Sequence, residues 1–278
     1  MLKDMITILW ERSNFFGGLL LEHLEISLIV IAIAVIIGGI TGILISEYDR
    51  AARPTLGVIN FLYTIPSISM LGFLIPFSGV GNVTAVIALI IYALLPMVRA
   101  THTGIKNVDA AILEAAEGMG STKFQILYKI KLPLAMPVIM SGIRNMVTMT
   151  IALAGIASFI GAGGLGVAIY RGITSNNAAM TMAGSLLIAL LALALDFILG
   201  WVEKRMARRT SHKKHFKKSL WITLAVVVCA GIGVLGFVQS QTKDTIRIAT
   251  KPMTEQYILG EMLKMLIEQD TNLNVELT

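Results

Sequence analysis

The sequence predicts an all-α polytopic membrane protein with about six transmembrane helices, followed by the start of an α/β domain outside the membrane. Two observations carry the membrane reading. Hydrophobic residues make up 55 % of the 278 and charged residues 14 %, where a soluble domain carries about 25 % charged residues. A soluble surface so poor in charge would not stay dissolved. The apolar residues are also gathered into six stretches, 26–46, 54–76, 83–98, 134–160, 180–201 and 219–238. Crossing a bilayer takes about 20 helical residues. Helices are the expectation because a lone strand in lipid cannot satisfy its own backbone. The alternation of an outer-membrane barrel is absent.

Taken in order, Met1 to Glu25 has too few apolar positions to span and suits an interfacial segment, with a surface helix near Met5–Trp10. The first span carries Ala34, Gly38, Gly42 and Ser46 at intervals of four, a small-residue stripe that permits close helix contact. Packing within the subunit is favoured over a dimer seam. In the second span Pro66 lacks a backbone donor and should bend the helix. Ser67 beside it adds a polar spot, which fits either a pathway wall or a tolerated kink. Arg144 in the fourth span and Asp196 in the fifth are intramembrane charges, functional candidates by default. Snorkelling of Arg144 and a structural pairing of Asp196 are the plainer readings. Met136, Met140, Met146, Met149, Met180 and Met182 suit adaptable packing, or a soft gate involving Met146 and Met149.

Lys and Arg set the orientation. The turn 47–53 has Arg50 and Arg53, the loop 99–133 has five cations, and 204–218 has eight with no acid. The alternate loops 77–82 and 161–179 hold Arg171 alone. All basic loops fall on the inside if both termini are outside. Outside the 204–218 patch the chain is slightly acidic, so the net charge of +6 is a topology signal and nucleic acid is not an expected partner.

The sixth stretch follows Lys213-Lys214-His215-Phe216-Lys217-Lys218 and looks like an internal signal peptide. Beyond it, Thr245–Ala249 alternates like a strand, Glu255–Glu268 is amphipathic, and Asn274–Leu277 suits a second strand. These 34 residues are too few to bury a core, so they read as the truncated start of an external domain. The expected organisation is an N-terminal segment 1–25, a core 26–203, a basic loop, sixth helix and linker 204–244, and the domain start 245–278.

The inside loop 99–133 is the most specific feature. Ala-rich Ile112–Glu117 favours a short helix. Gly118 and Gly120 end it, Tyr128–Leu132 offers a second, and Pro133 stands at the first turn of the next span. Two short helices at the mouth of a bundle make a knob suited to a partner's groove. The positions Glu114, Ala115, Ala116, then Gly120, then Ile130, Leu132 and Pro133 resemble the signature loop of permease subunits of bacterial ATP-binding-cassette (ABC) importers. The resemblance implies a type I (MetI-like) permease core, a homodimer on two copies of a separate ATPase, and a loop that transmits ATPase closure to the membrane helices. ATP and Mg would be bound by that partner, and this chain has no G-x-x-x-x-G-K-[ST] run to cradle a nucleotide.

Further stretches resemble the importers of glycine betaine, choline, carnitine, proline betaine or ergothioneine. They are Tyr63-Thr64-Ile65-Pro66-Ser67, Ser158 to Gly166, and Lys251 to Gly260 with Thr254, Glu255, Gln256 and Tyr257. In some members the permease is fused to its binding domain, which the last stretch resembles. The stretch Gly161-Ala162-Gly163-Gly164-Leu165-Gly166 spells a G-x-G-x-x-G run. A dinucleotide site needs that run between a strand and a helix. After a membrane helix it suits a flexible outer gate. The four histidines and the single Cys229 show no metal-ligand spacing, and no nucleophile–base arrangement occurs. The chain reads as a transport subunit rather than an enzyme, in the plasma membrane and contacting lipid, a second copy and a quaternary ammonium solute. A membrane-anchored ligand sensor and a secondary transporter are the alternatives.

Overall fold

The computed structural model describes residues 2–209, 245–248, 259–264, 266–267 and 274–277. The chain divides into two units at Val227/Val228. The described residues of the first unit form helices joined by short turns, with no strand among them. Helix α1 spans Leu2–Glu11, α2 Ser13–Glu47, α3 Asp49–Thr64, α4 Ser67–Ser78 and α5 Asn82–Lys106. Then come α6 (Ala110–Gly118), α7 (Lys123–Ile126), α8 (Leu132–Ala154), α9 (Gly166–Thr174) and α10 (Ala178–Arg209).

Four helical runs are long and apolar enough to cross a membrane: Ser13–Glu47, Asn82–Lys106, Lys123–Ile160 and Ala178–Arg205. The pair α3–α4 makes a fifth if a 99° break is counted as one span. The break falls at Pro66. Ile65 is extended, as a residue before proline prefers, and Pro66 caps α4 instead of continuing α3. The expected sixth span, 219–238, lies outside the described residues, as do Cys229, His212 and His215.

The core is built on α2, α5 and α8, which pack against one another, with α10 against α8. The buried face of α2 recurs at helical spacing through Phe16, Leu19, His23, Ile26, Val30, Ala34, Gly38 and Gly42. Ile36, Ile37, Ile40 and Leu44 on its other side are exposed and would face lipid. The small-residue stripe acts inside the subunit. Gly38 sits against Met97 and Gly42 against Thr101, both on α5. A Cβ at Gly142 of α8 would collide with the Cβ of Ala100 on α5, and one at Gly104 of α5 would press on Ala135 of α8. With almost no hydrophobic drive between helices in lipid, such backbone approach and its dispersion contacts supply the association.

Several boundaries differ from the sequence expectation. The first long helix starts at Ser13, so only Leu2–Glu11 forms a separate N-terminal helix. Glu22, His23 and Glu25, whose polarity argued against a span there, sit within α2. Met5 of α1 is buried, and α1 packs on α10. Helix α5 continues to Lys106, which puts Arg99 on a helix and not in a loop.

The second unit contains a parallel pair, β1 (Thr245–Ile248) and β2 (Asn274–Leu277), in register from Thr245↔Asn274 to Ile248↔Leu277. Parallel neighbours need a crossover connection, and residues 259–264 between them are helical.

The packing gives a paired expectation. Gly142→Ala should lower the thermal unfolding midpoint in detergent, because overpacking costs about 1–3 kcal/mol. Gly17→Ala on α2, with open space at its Cβ position, should leave the midpoint unchanged or raise it.

Candidate functional site

The inside loop is built by local capping. Asp109 opens α6, its carboxylate accepting from the Ala111 N–H at 2.9 Å. Glu114 and Ala115 are exposed on this helix and Ala116 is buried. The helix ends in a Schellman motif: the Gly120 N–H donates to the Glu117 carbonyl at 2.8 Å and the Ser121 N–H to the Ala116 carbonyl at 3.1 Å. That closure puts Gly120 at φ +80, a left-handed conformation open to glycine at little cost. Thr122 then caps α7, with Thr122 and Gln125 bonded reciprocally.

The second short helix of the loop is not separate from the membrane. Residues Lys123–Ile160 run as one helix, with a π-turn at Leu127–Lys131 that contains Ile130. Its wide ring is closed by the Leu132 N–H donating to the Leu127 carbonyl. The physical cause is Pro133, which cannot donate to a carbonyl four residues back and whose ring needs space there. Leu132 packs against the main core. Helix α7 is therefore continuous with α8.

Both flanks of the loop are tied to the α2–α3 corner. Lys131 pairs with Glu47 at 2.6 Å and Lys106 with Asp49 at 2.5 Å. The loop's outer surface is apolar: Met119 is 79 % and Phe124 74 % exposed, and the Phe124 and Tyr128 rings lie parallel with centroids 6.4 Å apart.

Next to the loop is an open cavity of about 660 Å³, a groove between α3, α5 and α8, lined in part by Tyr63, Pro96, Arg99, Pro137, Ser141 and Asn145. Two of its walls are the helices that enter and leave the loop. The Tyr63 hydroxyl donates to Met149 Sδ at 3.3 Å. The Tyr92 hydroxyl donates to the Ile65 carbonyl that precedes Pro66. Tyr63 and Tyr92 meet edge to face at 5.8 Å. Pro66, Ser67 and Met149 thus belong to one neighbourhood at the broken span. Met146 is fully buried in the main core.

The glycine run at the other end of α8 is held, not loose. The Gly163 N–H donates to Asn82 Oδ1 at 2.9 Å and the Gly164 N–H to Glu22 Oε2 at 3.0 Å. Gly161 and Gly164 have positive φ, and a Cβ at Gly163 would collide with the Glu22 carboxylate. His23 beside it is buried and bonds the Ile151 carbonyl at 3.1 Å. Arg144 and Asp196 form a two-pronged ion pair at 2.5 Å, with Glu203 3.4 Å from the same guanidinium. This pair clips α8 to α10. Thr254, Glu255, Gln256 and Tyr257 lie outside the described residues.

Comparison with known proteins decides what this loop belongs to. Residues 31–211 match the family described as binding-protein-dependent transport system inner membrane component. The chain belongs to this family. It is an inner-membrane transport component of ABC importers and not an enzyme. The chain is 40 % identical over 185 residues to the carnitine transport permease protein OpuCB of Listeria monocytogenes, covering 66 % of this chain and 85 % of that one. It is 40 % identical over 201 residues to the osmoprotectant import permease protein OsmW of Salmonella typhimurium, covering 70 % and 94 %.

A third relative is the ergothioneine transport permease/ergothioneine binding protein EgtU of Helicobacter pylori, 34 % identical over 245 residues. That match covers 85 % of this chain, which spans 44 % of the relative's length. Among solved structures, the inward-facing MetNI methionine ABC transporter superposes with a TM-score of 0.63 at 21 % identity, over 69 % of this chain and 95 % of that one. An amino acid ABC transporter with histidines gives 0.59 at 19 %, over 71 % and 96 %. The expected MetI-like permease fold is the fold observed.

Sequence reasoning passed over Glu22, Asn82, Tyr92 and the structural place of Arg99. An acid in an apolar helix was the available signal for Glu22. The clip between α8 and α10 yields a double-mutant expectation: Arg144→Leu lowers the unfolding midpoint by leaving two carboxylates unpaired. Adding Asp196→Leu should recover part of the loss.

Proposed function

We propose that this chain is the membrane subunit of an ATP-driven importer for a quaternary ammonium or betaine-type solute. It works as a homodimer on two copies of a separate ATPase, with both termini outside. The observation that carries the reading is the join between loop and cavity. The Glu114 helix has an exposed face, and beyond the Gly120 reversal the helical run Lys123–Ile160 forms a wall of the pocket.

Nucleotide and magnesium would be held by the ATPase. The work of this chain is mechanical. The ATPase pair closes on α6 and α7 around Glu114, Ala115, Gly120 and Phe124. The push passes through the π-turn and Pro133 into α8, and through Lys106 into α5. Prolines 96 and 137 in the cavity walls remove one helical hydrogen bond each, which makes those positions yield first. Yielding there narrows the inner mouth, and the tightly packed remainder of α2, α5 and α8 carries the movement to the outer end at Gly161–Gly164. The preference of nucleotide for the closed ATPase supplies the free energy.

The substrate class is supported by relatives named for carnitine, osmoprotectants and ergothioneine. The parallel pair in the second unit and the stretch Thr254–Tyr257 fit the start of a fused binding domain that captures the solute outside. The basic residues at the end of α10 and beyond fit an inner, positive-side anchor.

Glu114→Arg should abolish solute uptake by the assembled importer in proteoliposomes while the protein still inserts. Retained uptake would favour a docking mode that does not use this loop. Calorimetric titration of the complete external domain should give one tight ligand among glycine betaine, choline, carnitine and ergothioneine. Silence across that panel would remove the substrate class.

A further inference from the structure

Three Lys and Arg residues sit on α5 and α8, and two of them have carboxylate partners. Lys106 pairs with Asp49, and Arg144 with Asp196 and Glu203. Arg99 differs. Its guanidinium donates to the neutral amide oxygen of Asn60 at 2.9 Å, and among the described residues it has no carboxylate partner. It is also the sole formal charge in the cavity lining. A guanidinium has five N–H donors in a planar fork suited to a carboxylate. Arg99 is exposed, and its fork is accessible from the pocket it lines.

The rest of the lining has a matching character. Asn60 and Tyr63 are three residues apart on α3, hence neighbours one turn apart, roughly 5–6 Å between their Cβ atoms. Asn60 places the Arg99 fork, and Tyr63 presents an aromatic ring to the same cavity. The ring is fixed by its bond to Met149 and its contact with Tyr92. Ser141 and Asn145 supply hydroxyl and amide groups from the α8 side. An anion-binding fork one helical turn from a cation-attracting ring is complementary to a small zwitterion. The cavity volume of about 660 Å³ holds such a molecule with some water.

We infer that this cavity is a transient station for the translocated solute inside the permease, in which Arg99 receives the carboxylate and the Tyr63 ring receives the quaternary nitrogen. The inference rests on the proposed substrate class and adds to it a site in the membrane subunit, distinct from any site on the external domain. It also separates two kinds of solute that one external domain might accept. A solute bearing a carboxylate uses both groups, and choline, which has none, uses the ring alone.

The test is uptake of radiolabelled glycine betaine, carnitine, ergothioneine and choline by the full-length importer with its ATPase in proteoliposomes. Arg99→Gln should reduce uptake of the carboxylated solutes roughly tenfold, the worth of one charge-assisted contact, and leave choline within about twofold. Arg99→Lys should recover part of the loss. Tyr63→Leu should depress all four solutes together, with Tyr63→Phe near the wild type. If Arg99→Gln leaves all solutes unchanged, or lowers choline equally, Arg99 is a lipid-headgroup anchor or a packing residue and the station is overturned. If the wild type takes up carboxylated solutes alone, the judgement falls on the conservative variant: Arg99→Lys must recover part of the uptake lost in Arg99→Gln, and a loss that Arg99→Lys does not recover overturns the inference. If the wild type takes up none of the four, the substrate class itself fails and the station falls with it.

Discussion

The close approach of α5 to α2 on one side and to α8 on the other is the constraint on which the structure depends. At Gly42 against Thr101, and Gly142 against Ala100, there is no room for a side chain. In lipid, where apolar burial drives helix association weakly, contacts made at backbone range supply attraction that longer side chains would not. The same contacts remove compliance. A bundle held by flexible side chains would absorb a push at one end as local repacking. One held backbone to backbone transmits it.

The loop shares that rigidity. The loop is not a flexible connector between two spans. It is a capped helix, a glycine reversal and a second capped helix that runs unbroken into α8. Its two flanks are held to the α2–α3 corner by Lys131–Glu47 and Lys106–Asp49. At the far end of α8, the carboxylate of Glu22 and the amide of Asn82 hold the Gly161–Gly164 turn. Between these two held ends lies a cavity flanked by prolines. A stiff run with its soft points placed at the cavity is what the proposed coupling requires.

Much of this was legible in the residues. The loop motif, its helix-ending Gly120 and the bend at Pro66 follow from backbone chemistry that any sequence displays. The stripe from Ala34 to Ser46 correctly implied packing within the subunit, because a period of four defines one helix face. What was not legible depends on distant pairing. Glu22 and Glu25 lowered the apparent apolarity of the first span and moved its start to 26, whereas α2 begins at Ser13. Glu22 is accommodated there because its carboxylate accepts the Gly164 N–H from 142 residues away, while Asn82 holds the neighbouring Gly163. Arg99 was counted as a loop charge because hydropathy fades before the helix ends. The fork between Arg144 and Asp196 joins two spans whose rotation no periodicity reveals. Met146, read as a gate candidate, points into the core, since a methionine stripe looks the same from either side.

The central claim is that force on the loop closes the cavity behind it. It is tested most directly by thiol accessibility at Ser141→Cys in a Cys229→Ser background, in inside-out vesicles carrying the partner ATPase. The cysteine should react with a membrane-impermeant reagent at rest and lose most of its reactivity when the ATPase is trapped closed. That loss should vanish when Glu114→Arg is added. Reactivity that is the same in both nucleotide states, or that falls even with Glu114→Arg present, would contradict the coupling of loop to cavity.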